Sequence, residues 1–243
     1  MLKKLQQIWK AKDIRNSILY VLTLLIVFRI AAHIPIPGID ASSIKEIFSG
    51  NDIFGLLNLF SGGGMENFSI VMLGVGPYIT SSIIFQLLVM IVPRLGALQK
   101  EGEYGQQKIN QYTRRLTIPL ALVQGYGFIH LLSQRTGGAL MDGMTSLQLF
   151  TALVMITAGT IFLMWLGELI SEKKIGNGIS LLIFAGIIAS LPQSLGNTLI
   201  AFDSSQILNF VIFALIALLT IVVIVIITEG QRNIPVSYAR HMV

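Results

Sequence analysis

Six long apolar runs alternate with shorter polar stretches along the chain, at Ser17 to Ile34, Phe68 to Val92, Leu116 to Ser133, Leu147 to Ile170, Ile179 to Leu195 and Ile207 to Thr228. A helix needs about 20 mostly apolar residues to cross roughly 30 Å of hydrocarbon, so each run predicts one membrane span. The last is the most uniform: Ile207 to Ile227 holds only Asn209 and Thr220 as polar residues and no glycine or proline. That composition predicts a helix facing lipid over much of its surface. The earlier runs carry Gly74, Gly76 and Pro77, then Pro119, Gln124, Gly125 and Gly127, then Gly186 and Pro192. Small and polar residues of this kind suit close helix packing or a wet cavity. The fold class predicted is all-α, a polytopic transmembrane helical bundle.

One stretch breaks the up-and-down pattern. Between the first two runs, Asn51 and Asp52 stand where a helix cap belongs, and the apolar Ile53, Leu56, Leu57 and Phe60 recur at helical spacing until Ser61-Gly62-Gly63-Gly64 ends them. This half-helix is far too short to cross. It has two readings: a helix lying at the outer interface, or a movable stopper held at membrane depth by a cavity wall.

Composition agrees with lipid as the solvent, since 53% of the 243 residues are hydrophobic and 12% are charged, against roughly 25% charged in soluble domains. Mean hydropathy is +0.75. The net charge of +5 would suit nucleic acid if the basic residues shared a folded face, but here they fall between the apolar runs and read as topology signals. Lys3, Lys4, Lys10, Lys12 and Arg15 precede the first run, Arg94, Lys100, Lys108, Arg114 and Arg115 follow the second, and Lys173, Lys174, Arg232 and Arg240 come later on the same side. Arg29, Lys45 and Arg135 lie on or near the other side. The positive-inside rule therefore predicts both ends of the chain in the cytoplasm. The N-terminus resembles a signal peptide, but Arg29 interrupts its apolar run and no small-residue cleavage pattern precedes Pro35 and Pro37; a retained anchor is expected. Arg29 itself is read as snorkelling to the outer interface. No internal repeat or low-complexity tract is visible, and 1–243 reads as a single membrane domain.

Charge inside the predicted spans is scarce. All carboxylates fall in loops or at span ends, with Glu168 nearest an interior. Ion-coupled transporters usually need a buried acid, which counts against that class. An intramembrane protease needs an activated serine near a histidine, or a metal motif such as H-E-x-x-H. His33, His130 and His241 are scattered, and neither H-E-x-x-H nor G-x-S-x-G occurs. There is no cysteine, and no glycine-rich stretch leads into Lys-Ser/Thr. No catalytic residue, metal site or cofactor is assigned.

The run Ser69-Ile70-Val71-Met72-Leu73-Gly74-Val75-Gly76-Pro77-Tyr78-Ile79-Thr80-Ser81-Ser82-Ile83-Ile84-Phe85-Gln86 is similar to the first signature of the SecY family, and Trp165-Leu166-Gly167-Glu168-Leu169-Ile170-Ser171-Glu172-Lys173-Lys174-Ile175-Gly176-Asn177-Gly178-Ile179-Ser180 resembles the second. Lesser matches are Phe28-Arg29 with Ile34 to Asp40, Lys100 to Glu103 with Gln111 to Arg114, and Gly230 to Val236. Order and spacing agree over essentially the whole chain.

The resemblance implies a protein-conducting channel in the bacterial cytoplasmic membrane, built of ten spans in two inverted halves. This chain is then expected to be one piece of a split, nicked or truncated protein, with spans seven to ten supplied by a C-terminal remainder. Within it the resemblance divides a cytoplasmic amphipathic N-terminus at 1–16, a five-span half at 17–195 including a plug at 52–64, a sixth span at 196–228 and the start of a cytoplasmic loop at 229–243. Val75, Ile79, Ile179 and Ile183 match the family's pore ring. Asp52, Ile53, Phe54, Leu56, Leu57 and Phe60 match the plug, with Gly62, Gly63 and Gly64 as its hinge. Thr80, Ser81, Gln86 and Gln124 fall on one side of the lateral gate; ordinary helix-to-helix hydrogen bonds are the other reading of the two glutamines. Lys108, Arg114, Arg115, Arg232 and Arg240 are candidates for partner binding, or simply for setting topology. The partners implied are SecE, SecG, the motor ATPase SecA or the ribosome, a signal-sequence-bearing preprotein and membrane lipid, with no direct role for nucleic acid.

Overall fold

A computed structural model describes residues 11–37, 48, 52–135, 137–138, 143–200 and 207–230. The described residues are helical apart from turns and one isolated antiparallel bridge, Pro35 to Ser69. The helices are α1 (Lys12–Ala31), α2 (Asp52–Phe60), α3 (Gly76–Ile91), α4 (Pro93–Lys100), α5 (Glu103–Arg135), α6 (Ser146–Glu172), α7 (Gly178–Ile200) and α8 (Ile207–Glu229). Of these, α1, α5, α6 and α8 are each long and apolar enough to cross a membrane, and Gly178–Pro192 is a shorter apolar helix. The chain forms two compact units, Met1–Pro192 and Gln193–Val243. Within the second, α8 is apolar on every side, with none of its residues buried, as a helix solvated by lipid should be.

The second predicted span is helical only in part. Helix α3 begins at Gly76, and residues 61–75 run through turns instead. Two left-handed residues, Phe68 at φ +44° and Gly74 at φ +58°, prevent a continuous helix. The freed backbone is satisfied across the bundle: Ile36 N–H donates to Phe68 O at 3.0 Å and Ile70 N–H to Ile34 O at 3.1 Å. Most of this irregular stretch is buried, with Val71 and Met72 inaccessible and Gly63, Glu66, Asn67, Ile70 and Leu73 half-buried; cover by protein is the condition for keeping non-helical backbone inside a membrane bundle. Gly159 of α6 makes the room, because a methyl group there would run into the Ile70 carbonyl.

At its other end α3 stops at Val92, whose extended backbone (φ −96°, ψ 109°) is what a following proline imposes. Pro93 then opens α4, and the chain turns by 100° between the two helices. Helix α5 returns, burying Gly105, Ile109, Thr113, Thr117, Ala121, Gly125 and Ile129 along one stripe. It packs against α3 and α6. Small residues at every fourth position let backbones approach, which matters where lipid tails are as apolar as leucine and burial alone gives little drive.

Helix α6 runs between two apolar clusters. Its first half joins Phe54, Phe68, Met72, Ile129 and Leu132 through Ala152 and Ile156. Its second half joins Val21, Phe28, Val71, Val75 and Leu182 through Leu163, Leu166 and Ile170. The helix is therefore the pillar against which α1, α3 and α5 pack. It begins with a full capping box, Thr145 with Gln148.

Candidate functional site

A cavity of about 390 Å³ opens between α3, α6 and the start of α7. Helix α3 contributes Tyr78, Ile79, Ser82, Ile83 and Gln86, α6 contributes Gly167, Glu168 and Ser171, and Asn177 with Ile179, Ser180 and Ile183 closes the third side. On α3 the residues Ile79, Ser82, Ile83 and Gln86 recur every three or four positions, and so do Ile179 and Ile183 on α7, so each helix turns a single stripe to the space. The result is amphipathic, with isoleucines on two walls and hydroxyl, amide and carboxylate groups around them.

Local chemistry fixes the α7 wall. Asn177 caps the helix, its Oδ1 accepting from Ile179 N–H at 3.0 Å and Ser180 N–H at 3.2 Å. Ser171 Oγ accepts from Gly178 N–H at 2.9 Å and donates to Gly167 O at 2.9 Å, tying the end of α6 to the start of α7. Gly167 and Gly178 let these backbones touch, and any side chain at Gly167 would displace Ile179 Cδ1. Ile179 is thereby seated over Gly167 at the cavity edge.

Of the four residues matched to a pore ring, Ile79, Ile179 and Ile183 line this space together. Val75 does not; it is buried in the second apolar cluster, against which Ile79, Ile179 and Ile183 pack. Among the gate candidates, Gln86 lines the cavity and its Nε2 lies 3.5 Å from Ser82 Oγ. Thr80 bonds back to Gly76 O, and buried Ser81 donates to Thr113 O at 2.7 Å, so it fastens α3 to α5. Gln124 is half-buried on α5.

Arg114 stands apart from the other basic candidates. Its Nε lies 2.7 Å from Glu168 Oε1, an ion pair between α5 and α6 at the cavity's edge. Lys108 Nζ sits 5.6 Å over the Tyr104 ring, and Arg115 is exposed. Arg232 and Arg240, like Asn51, lie outside the described residues.

The nine-residue α2 follows the boundaries that the apolar spacing predicts. Asp52, Ile53 and Phe60 belong to its ends. Phe54 is buried, edge-on to Phe48 at 5.5 Å, whereas Leu56 and Leu57 are exposed. After it, Gly62 and Gly63 take left-handed backbone (φ +66° and +83°), and Gly64 is buried beside Ser69. Arg29, expected to snorkel outward, is instead half-buried and donates from Nη1 to Gly62 O.

The Ser171 and Asn177 fastenings and the Arg114–Glu168 pair were not foreseen from sequence. An asparagine just ahead of an apolar helical run is a capping signal and pointed to the first; two opposite charges far apart in the chain gave no signal for the second. Among the described residues no group of three or more His, Cys, Asp and Glu is placed to hold a metal. His33 Nδ1 lies 2.8 Å from Arg29 O, and His130 stacks on Tyr126 beside Gln134, so both histidines have partners within one turn of their own chain.

The SecY family model matches residues 69–242. The chain is 41% identical over its whole length to the protein translocase subunit SecY of Streptomyces coelicolor, covering 58% of that protein. It is 46% identical to the subunit of the same name from Pseudomonas aeruginosa over 89% of this chain and 49% of the relative, and 43% identical to that of Escherichia coli over 94% and 53%. The chain thus spans about half the length of the curated relatives it matches.

Proposed function

The chain belongs to the SecY family and is a multi-pass membrane protein, and on that premise we propose that it forms one wall of a protein-conducting channel. The channel passes unfolded polypeptides across the bacterial cytoplasmic membrane and releases apolar segments sideways into lipid. Both ends of this chain lie in the cytoplasm in this reading. Its partners are the remainder of the channel, SecE and SecG, a signal-sequence-bearing preprotein, and SecA or the ribosome as the source of energy. No bond chemistry is assigned to the chain.

The observation that carries this reading is the gathering of Ile79, Ile179 and Ile183 on one cavity. Aliphatic side chains on facing helices make a constriction that dewets and so blocks ions. They also carry no directional bonds, and therefore yield around a passing chain of any sequence. Val75, buried behind them, backs the collar. Ser82, Gln86, Asn177 and Ser180 keep the rest of the space wettable, which suits a polypeptide whose backbone must stay hydrated until it reaches the collar. Ser81, bonded to the α5 backbone, makes α3 and α5 move as one leaf when the wall opens to lipid. Helix α2 is the stopper.

The test is a contact map. A cysteine replacing Ile79 should cross-link to a stalled secretory polypeptide in the intact channel, and one replacing Ile216 on lipid-like α8 should not. Ile79→Asn and Ile183→Ser should each raise the ion leak of the resting channel. Equal cross-linking from both positions, with no change in leak, would remove the collar.

A further inference from the structure

The stopper reading leaves open what holds α2 in place, and the turn that follows it answers. Helices end with unpaired carbonyls and a partial negative charge. Here the last carbonyls are taken up locally: Asn58 O accepts from Gly63 N–H at 2.9 Å and from Ser61 Oγ at 3.0 Å, and Leu59 O accepts from Gly62 N–H at 3.1 Å. Asn58 also grips the far side of the turn, its Nδ2 donating to Glu66 Oε2 at 2.9 Å while its Oδ1 accepts from Glu66 N–H at 3.0 Å. Ser61 Oγ accepts from Met65 N–H, and Asn67 Nδ2 donates to Gly63 O. Residues 58–67 are therefore cross-braced, and their three glycines do not make a loose hinge.

This block rests on two neighbours. Gly62 lies against Gly186 of α7 so closely that a side-chain carbon on either would press on the other's backbone at about 3.1 Å. Across from it, Phe28 of α1 covers Gly62, and the Arg29 guanidinium donates to the Gly62 carbonyl. On α7, Ile179, Ile183 and Gly186 fall within roughly 60° of one another around the helix. The stripe that bears two collar residues thus also carries the seat of the turn.

We propose that Arg29 is a latch: it clips the braced turn 58–67 to α1, and α2 leaves its seat only after this bond to the Gly62 carbonyl lets go. The inference rests on the stopper reading of α2. Collar and stopper are coupled through α7. A polypeptide that drives Ile179 and Ile183 away from α3 also withdraws Gly186 from beneath the turn, leaving the turn tied to α1 by the Arg29 bond and the Phe28 contact. A charge-assisted bond to one carbonyl suits that duty, being strong while shielded and readily exchanged for water once wet.

The experiment measures the resting ion conductance of the intact channel complex in planar bilayers. Arg29→Met keeps much of the bulk and removes the donor, and should raise conductance about tenfold, the loss expected for a hydrogen bond to a charged group. Arg29→Lys should restore most of the closure. Deleting Ile53 to Phe60 should raise conductance by itself, and Arg29→Met added to that deletion should change nothing further. If the deletion leaves the leak at the parent level, the stopper reading fails and the latch with it. If the deletion leaks but Arg29→Met alone does not, the latch is wrong and the stopper stands. An additive effect of Arg29→Met in the deleted channel also overturns it, since the arginine would then act elsewhere. Should Arg29→Met fail to assemble, Asn58→Ala carries the test: the latch acts only through a braced turn, so a several-fold rise in leak is expected, and a parent-like leak overturns the latch.

Discussion

The glycine-rich turn after α2 and the isoleucine cavity share one stripe of α7, yet opposite means hold their shape. The turn is set by directional contacts: paired side-chain and backbone bonds at Asn58 and Glu66, the Arg29 bond, and glycine against glycine at 62 and 186. The cavity walls meet through branched aliphatic side chains, which have a preferred volume and no preferred partner. One region has a single good fit and fails when displaced. The other tolerates many arrangements at similar energy. The proposed channel, tight at rest and unselective in use, would have reason to keep both, with specificity where the proposed stopper seats and compliance where cargo would pass.

Adding carbon to the turn's seat should do the most damage. Gly186→Val places a Cβ about 3.1 Å from Gly62 N and 3.3 Å from Leu59 O, backbone atoms that cannot rotate away. A destabilisation of about 1–3 kcal/mol is expected, read as a lower thermal midpoint of the detergent-solubilised protein. Ile183→Val, which removes carbon from a half-exposed wall, should cost less, at or below about 1 kcal/mol. Equal losses would mean that the cavity walls are as tightly specified as the turn.

A smaller effect sharpens the same contrast. Asn58→Ala removes both side-chain bonds to Glu66 at a part-buried site and should cost about 1–2 kcal/mol. The loss should be local: amide exchange should accelerate at Gly63 and Glu66 and stay unchanged in the middle of α6. Faster exchange throughout α6 would show that the turn supports the bundle rather than resting on it.

How much of this was legible in the sequence follows the same division. Runs of apolar residues found the long helices, and Ser61-Gly62-Gly63-Gly64 ended α2 as read, because span length and turn chemistry are local properties. The proposed collar was not readable from its own spacing, since isoleucines four apart are ordinary membrane filler; resemblance to a family singled them out. Residues 68–75 misled outright. Val71, Met72 and Val75 read as helix, but the backbone there is held by Ile34, Ile36 and the gap at Gly159, all distant in sequence. Arg29 misled for the same reason, because its partner is a backbone carbonyl on another element, and a carbonyl has no letter in the sequence.

The Arg114–Glu168 pair supplies the smallest expected effect and the most direct reading of how wet the cavity is. Its geometry is good, at 2.7 Å, yet Arg114 is 48% exposed and Glu168 24%. Water that reaches these groups screens their attraction, and exposed pairs of this kind are worth about 0–1 kcal/mol. A double-mutant cycle of Arg114→Ala and Glu168→Ala should therefore give a coupling below about 1 kcal/mol, smaller again near 1 M salt, where the screening length falls to roughly 3 Å. A coupling above about 2 kcal/mol that ignores salt would show a dry site in which the pair is effectively buried. Such dryness would spread the apolar seal across the whole cavity instead of confining it to the isoleucines, and the division between a compliant collar and a hydrated approach would no longer hold.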